Sequence, residues 1–213
     1  PDAPDGHLPG TDAVGQALSG IAEAYSIPGN NLRTGVASVA DETCAILTFG
    51  GILAAYINAQ KTGKGQKMET SLVGSAFRLL GWTMTTAMWS NKPPITGARI
   101  NGTRERPGIA ACFNDIDGKP FAMQLDPKDW LEAMKALNFF ETLEKENLID
   151  LGLAFESEEN KNKILNRLAE LFSTNNRDHW ISILRKADMI STHVNTMLEA
   201  SNDPNIKENN YVT

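Results

Sequence analysis

The stretch Val36-Ala37-Ser38-Val39-Ala40-Asp41-Glu42-Thr43-Cys44-Ala45-Ile46-Leu47 passes from a short, weakly extended run into a long apolar helix. The pattern predicts that helix from about Glu42 to Gln60, with Asp41 as its N-cap, because an Asp side chain accepts from the unpaired N–H groups of a first turn. Its most apolar part, Cys44 to Ile57, includes Thr48, Gly50 and Gly51 and reads as a buried helix, not as a bilayer span. Asp41 then has two readings. In one it is a plain helix cap. In the other it is a nucleophile: a helix start attracts negative charge, and a carboxylate held in line and desolvated attacks activated acyl centres. Position alone does not choose between them.

Upstream, Ala13, Val14, Ala17, Ile21 and Tyr25 fall at helical spacing and predict a helix over residues 11–25, which Thr11 or Asp12 can cap. Gln16 lies one turn after Asp12, so a carboxylate and an amide share one face. That pair could address a ligand together or form a solvated edge. Pro28-Gly29-Asn30-Asn31 breaks the chain. Downstream, Gly63 or Gly65 can end the long helix, and residues 66–71 alternate enough to be a strand. A second apolar helix is predicted from Leu72 to Ser90, carrying Trp82, Met84, Met88 and Trp89. It is apolar nearly all round, which implies burial or a subunit contact. These side chains could line an acyl pocket, although packing is the stronger reading.

Residues 91–107 are rich in Pro, Gly and Arg and mark a domain boundary. Beyond them, Gly108–Asn114 and Pro120–Leu125 read as strands around the turn Asp115-Ile116-Asp117-Gly118. Helices follow: one opened by Asp126 as cap with Pro127 at its first position, then others over residues 158–173 and 176–187.

The chain has 213 residues, 41% of them apolar, and a formal net charge of -6. That suits one large or two small domains, and a mildly acidic balance argues against nucleic acid as a partner. The start lacks Met and the pattern of a secretory leader, and the end carries no closing element, so the sequence reads as an internal portion of a longer protein. Cys44 and Cys112 stand far apart, in no metal or disulfide pattern. Cys44 reads as a small buried hydrophobe, and the default compartment is the reducing cytoplasm. His7, His179 and His193 belong to no nucleophile motif and read as surface or partly buried side chains. There is no Gly-rich phosphate loop, serine elbow or zinc spacing.

Three blocks then carry a resemblance. Pro9-Gly10-Thr11-Asp12-Ala13-Val14-Gly15-Gln16-Ala17-Leu18-Ser19-Gly20 resembles a signature of class III (CaiB/BaiF-type) CoA-transferases, in which an aromatic and then an acidic residue follow Pro-Gly. Val36–Asp41 with Gly51-Ile52-Leu53-Ala54-Ala55 is a second match, and Lys61–Gln66 with Met68-Glu69-Thr70-Ser71-Leu72 a third. They occur in the family's order and at similar spacing. Weaker echoes run on through Trp130, Arg167, Trp180 and Asp203-Pro204-Asn205, so the resemblance spans essentially the whole chain.

The resemblance implies an α/β protein. Residues 1–95 would be the later part of a Rossmann-like large domain, 96–107 a linker and 108–213 a small α+β domain, in an interlocked homodimer. It implies transfer of coenzyme A from an acyl-CoA donor to a carboxylic acid acceptor, with CoA as substrate, no metal, and neither nucleic acid nor membrane as partner. Asp41 matches the family's nucleophilic aspartate, whose path runs through a mixed anhydride and an aspartyl-CoA thioester. Thr11, Asp12 and Gln16 match positions near the substrate and CoA site. Thr11 departs from the aromatic of transferases and from the histidine of alpha-methylacyl-CoA racemases. Threonine cannot serve as the racemase base, which disfavours that alternative. Gly-Thr-Arg-Glu-Arg-Pro-Gly at 102–108 stands where formyl-CoA transferases have a glycine-rich flap, which implies a larger acid than formate or oxalate. A non-catalytic CoA-transferase-like subunit, with Asp41 only a cap, is the remaining alternative.

Overall fold

A computed structural model describes residues 6, 9–26, 34–35, 37–91 and 108–211. The chain divides into two compact units, Pro1–Ala98 and Arg99–Thr213. The Pro28–Asn31 break and most of the Pro/Gly/Arg-rich segment lie outside the described residues.

The described part of the first unit is helical. Helix α1 (Asp12–Ser19) stops at Gly20, whose φ of 88° is left-handed, and α2 (Ile21–Ala24) starts immediately after. The single helix predicted over 11–25 is therefore two, because the glycine takes a conformation that other residues adopt at a cost. Helix α3 (Val39–Thr62) runs for 24 residues and ends at Gly63, whose φ of 69° lets its N–H reach the Ala59 carbonyl at 2.8 Å. Residues 64–71 then form no strand, contrary to the alternation read there. Helix α4 (Leu72–Ser90) is capped by Ser71 Oγ, which accepts from Gly74 N at 3.0 Å, and is kinked at Gly81, where φ is 37°. Ile21, Ala40, Ala76 and Leu80 form a small core where α2, the start of α3 and α4 meet.

The prediction that α3 is buried fails within this chain. It is long and apolar enough to cross a membrane by length and composition, and nearly all of it is uncovered. Phe49 is 63% exposed, and Ile46, Ile52, Tyr56 and Ile57 are exposed along its length. Trp82 and Trp89 of α4 are also open, at 82% and 86%, so they neither pack inside this unit nor line an enclosed pocket. Met84 alone of that group packs against the small core.

The second unit supplies the strands. Strands β1 (Ile109–Asn114) and β2 (Pro120–Leu125) pair antiparallel, and β3 (Ile190–His193) adds to the other edge of β2, giving the order β1-β2-β3. The chain between them forms α5 (Trp130–Ala136), α6 (Phe140–Lys145), α7 (Leu151–Ala154), α8 (Glu158–Phe172) and α9 (Arg177–Lys186), and α10 (Met197–Asn202) and α11 (Pro204–Glu208) close it. Helix α5 begins three residues after Pro127, because Asp126–Asp129 first closes a turn through Asp129 N–H to Asp126 O at 3.0 Å. Period-2 alternation puts Ile109, Ala111 and Phe113 on the buried side of β1, facing the helices. The Phe172 ring lies edge-on between Phe113 and Phe121, at 4.9 and 5.1 Å, and meets Trp180 at 5.5 Å. Trp180 Nε1–H donates to Phe172 O at 2.8 Å, which satisfies its one polar atom.

Asp115 holds this unit's turn to a helix. It is 4% exposed; Oδ1 accepts from Asp117 N at 2.9 Å and Lys119 N at 2.8 Å, and Oδ2 from Arg177 N at 2.8 Å. Burial would raise its carboxyl, but the three N–H donors of Arg177, Lys119 and Asp117, with the Lys119 charge, hold it below the ordinary carboxylate range.

Candidate active site

Helix α3 starts earlier than the sequence pattern predicts, and that changes what Asp41 does. Val39 is its first residue, so Asp41 sits in the third position and is not the N-cap. Ser38 occupies the cap position without a side-chain bond to the helix. The acceptor for the first turn comes from another element. Asp12, the first residue of α1, turns Oδ1 to Ala40 N at 2.8 Å and to Asp41 N at 3.3 Å. A carboxylate from a neighbouring helix thus does the capping, and the Asp41 side chain is left exposed. Among the described residues no hydrogen bond or ion pair with its carboxylate is found.

Gln16 completes the arrangement. It is 0% exposed; Oε1 accepts from Gly35 N at 2.6 Å, and Nε2–H donates to Asp12 Oδ2. The orientation of the amide is dictated by its neighbours. A backbone N–H can only donate and an ionised carboxylate only accept, so the oxygen faces Gly35 and the nitrogen faces Asp12. Of the four residues singled out from the sequence, Asp12, Gln16 and Asp41 are brought together. Thr11 stands beside them as an exposed cap residue of α1, without a side-chain bond to that helix.

A further group lies one turn along α3 from Asp41. Cys44 Sγ is 3.2 Å from Thr70 Oγ1, and Thr48 Oγ1 is 3.0 Å from the same oxygen. Cys44 is half-buried and hydrogen-bonded, not the inert core thiol that its apolar neighbours imply. The Thr70 hydroxyl, with smaller contributions from Ser75 and Thr48, pulls the thiol below its ordinary value against burial and the nearby Asp41 charge. Beyond it a groove of about 460 Å³ runs between α3 and the returning segment, lined by Thr48, Ile52, Tyr56, Gln66 and Met68 among others. Gly51 lets Met68 lie against the helix, since a Cβ there would sit 2.8 Å from the Met68 side chain. Thr70 lay in a segment read as a strand and in a resembling block, and neither reading places its hydroxyl against Cys44 and Thr48, because that contact is made between two separate stretches of chain. Among the described residues no group of three or more His, Cys, Asp or Glu side chains comes together to hold a metal.

The whole sequence, residues 1–213, matches CoA-transferase family III. The chain belongs to that family. Within it, the chain is similar to an acetyl-CoA:oxalate CoA-transferase from Acetobacter aceti, 27% identical over 122 residues, which are 53% of this chain and 31% of that protein. It is also similar to an (R)-2-hydroxy-4-methylpentanoate CoA-transferase from Clostridioides difficile, 24% identical over 177 residues, which are 81% of this chain and 42% of that protein. The matched stretches thus cover less than half the length of these family-III relatives. Its fold is that of a CaiB/BaiF family protein from Brucella suis, with a TM-score of 0.83 at 19% identity over 98% of this chain and 53% of that one. A hypothetical protein from Mycobacterium tuberculosis is similar too, with a TM-score of 0.72 at 14% identity over 98% of this chain and 53% of that one.

Proposed function

We propose that this family-III chain carries the nucleophile of an acyl-CoA:carboxylate CoA-transferase, and that the nucleophile is Asp41. The observation that carries this reading is the division of labour at the start of α3: Asp12 takes the capping bonds, and Asp41 presents an exposed carboxylate at the same helix end. A carboxylate tied up as a cap would have its lone pairs spent on backbone N–H groups. Asp41 keeps its own for an acyl carbon.

The reaction follows. An Asp41 Oδ attacks the thioester carbonyl of the donor, the C–S bond breaks and CoA leaves as thiolate, giving a mixed anhydride. The thiolate attacks the Asp41 acyl carbon, which releases the donor carboxylate and forms an aspartyl-CoA thioester. The acceptor carboxylate attacks that thioester, frees CoA thiolate and makes a second anhydride. The thiolate then takes the acceptor acyl group, and the Asp41 carboxylate is restored. Each acyl step places negative charge on a carbonyl oxygen, which backbone N–H groups near the site would stabilise.

Thr11 precedes Asp12 at this site, and its lack of a basic nitrogen argues against alpha-proton chemistry of the racemase kind. The acids named for the two relatives are small carboxylates, one of them hydroxylated and branched. The relative named for oxalate runs against the size read from residues 102–108; a carboxylic acid larger than formate or oxalate is the acceptor class we propose here. The open apolar faces of α3 and α4 are surfaces that protein covers, in a Rossmann-like large domain completed by further chain and by a second copy in an interlocked homodimer. We place the assembly in the cytoplasm, with CoA entering as substrate and with no metal, membrane or nucleic acid. Residues 1–213 by themselves are expected to be inactive, because most CoA contacts of such an enzyme come from the preceding part of the large domain.

The test is chemical. The protein with the full length of its family relatives is incubated with an acyl-CoA donor and treated with hydroxylamine or borohydride. The expected result is a mass change on the peptide bearing Asp41. Absence of any adduct, together with transfer that survives Asp41→Ala, would sink the proposal. Turnover by residues 1–213 alone would overturn the expectation of inactivity.

A further inference from the structure

Two residues expected near the substrate have their polar atoms engaged elsewhere. Gln16 is 0% exposed, with Oε1 on Gly35 N at 2.6 Å and its amide nitrogen on Asp12 Oδ2. Asp12 Oδ1 is on Ala40 N at 2.8 Å and Asp41 N at 3.3 Å. A continuous path therefore runs from Gly35 through Gln16 and Asp12 to the first turn of α3. It grips the chain on both sides of the Ala37–Ser38 entry to that helix. Ser38 provides no side-chain cap, and among the described residues the carboxylate of Asp12 is the side-chain acceptor for the N–H groups of this turn. The Gly15 backbone brings α1 close enough to do so: a Cβ at that position would lie 2.9 Å from Ala40 Cβ and 3.3 Å from Leu72 Cβ.

We propose that Asp12 and Gln16 are positioning residues, which hold the first turn of α3 so that the Asp41 carboxylate stands in line with the acyl carbon, and are not ligands for CoA. This rests on the reading of Asp41 as nucleophile. The device needs one charged acceptor and one amide that both donates and accepts. It does not need the charge to sit on a particular one of the two positions, and that makes it testable by exchange.

In the Asp12→Asn variant the new carboxamide nitrogen faces the Gln16 amide nitrogen, donor against donor. In Gln16→Glu two carboxylates face each other. In the double exchange, Asp12→Asn with Gln16→Glu, every bond returns. The introduced asparagine oxygen accepts from Ala40 N, its NH₂ donates to the introduced glutamate, and that glutamate accepts from Gly35 N. A group that touched substrate through its charge would not be rescued this way.

The experiment uses the protein at the full length of its family relatives and reads two quantities. One is the rate of acyl-adduct formation on Asp41, quenched and followed by mass, with the KM for acyl-CoA. The other is hydrogen exchange of the Ala40 and Asp41 amides. Each single variant is expected to slow acylation by about tenfold or more with KM changed by less than about twofold, and the exchange to recover to within about threefold of the parent. Amide protection is expected to fall in the singles and return in the exchange. If the singles fail to fold, the exchange is compared with the parent alone, and a lost acylation rate overturns the proposal. An exchange no better than the singles, singles indistinguishable from the parent, or a raised KM at unchanged acylation rate each overturn it too. A parent protein that forms no Asp41 adduct overturns the nucleophile reading itself, so the two failures are distinguishable.

Discussion

Gly15 of α1 and Ala40 of α3 meet where the two helices cross, so closely that a Cβ on residue 15 would lie 2.9 Å from the Cβ of Ala40. Real Cβ atoms do not approach so near. The crossing brings Asp12 and Gln16, on the same short helix, against the start of the helix that carries Asp41. Gly15→Ala keeps helix propensity favourable yet forces α1 and α3 apart. We expect it to destabilise the first unit by about 1–3 kcal/mol, the usual cost of overpacking a tight contact. It should also slow Asp41 acylation, because the Asp12 bonds to Ala40 and Asp41 lengthen. Urea unfolding of the purified chain and the adduct assay check the two effects separately.

Asp115 is expected to make the second unit sensitive to acid. A carboxylate whose folded value lies below its unfolded one binds fewer protons when folded. Its contribution is therefore present above the unfolded value of about 4 and is lost as pH falls through the lower folded value. Asp115→Asn replaces an acceptor by a donor opposite Arg177 N, and should cost about 2–3 kcal/mol at neutral pH. The difference in stability between parent and variant should shrink in acid as the parent loses its advantage. Thermal melts across a pH series measure it.

Cys44 should react with alkylating agents faster than an ordinary thiol of similar exposure, because the Thr70 hydroxyl stabilises its thiolate. Thr70→Val removes the largest contribution. We expect alkylation of Cys44 near neutral pH to slow by about threefold in that variant, with Cys112 unaffected as an internal control. Peptide mass analysis after timed iodoacetamide treatment gives both rates from one sample.

The open faces of α3 and α4 should drive association of the 213-residue chain. Exposed Ile46, Phe49, Ile52 and Tyr56 form a large apolar stripe on one helix, of a size that soluble monomers rarely leave open. Sedimentation velocity should show assembly that grows with protein concentration, reduced by Ile46→Glu with Phe49→Glu. A chain that stays monomeric counts against the prediction. Uptake into neutral phosphatidylcholine vesicles would assign the face to lipid instead.

Periodicity located most elements well. The strands at 109–114 and 120–125, and helices α4, α8 and α9, follow from alternation or from apolar residues one turn apart, with Ser71, Ser157 and Asn176 as caps that hydrogen-bond their own first turns. Strand β3 and the short helices α6 and α7 were not legible, since a four-residue strand and helices of fewer than two turns carry too little pattern. The kink at Gly81 and the break at Gly20 were missed because a glycine within a helical pattern announces its freedom but not its φ.

The residues of the candidate site were legible as types and spacings: two aspartates at predicted helix starts, an amide one turn after the first, and blocks in the order of a known family. Their division of labour was not. Asp41 reads as the cap of its own helix, because sequence shows only the residue at the helix start and cannot show a carboxylate arriving from 29 positions away. Tertiary packing brings Asp12 across to the Ala40 and Asp41 amides, where a charged acceptor satisfies two unpaired donors at once. By itself the sequence determined which family this chain belongs to and which carboxylates were candidates for the site. Only the tertiary structure decided which aspartate caps α3 and which is left open, because that choice is made by a hydrogen bond between two elements and not by either element alone.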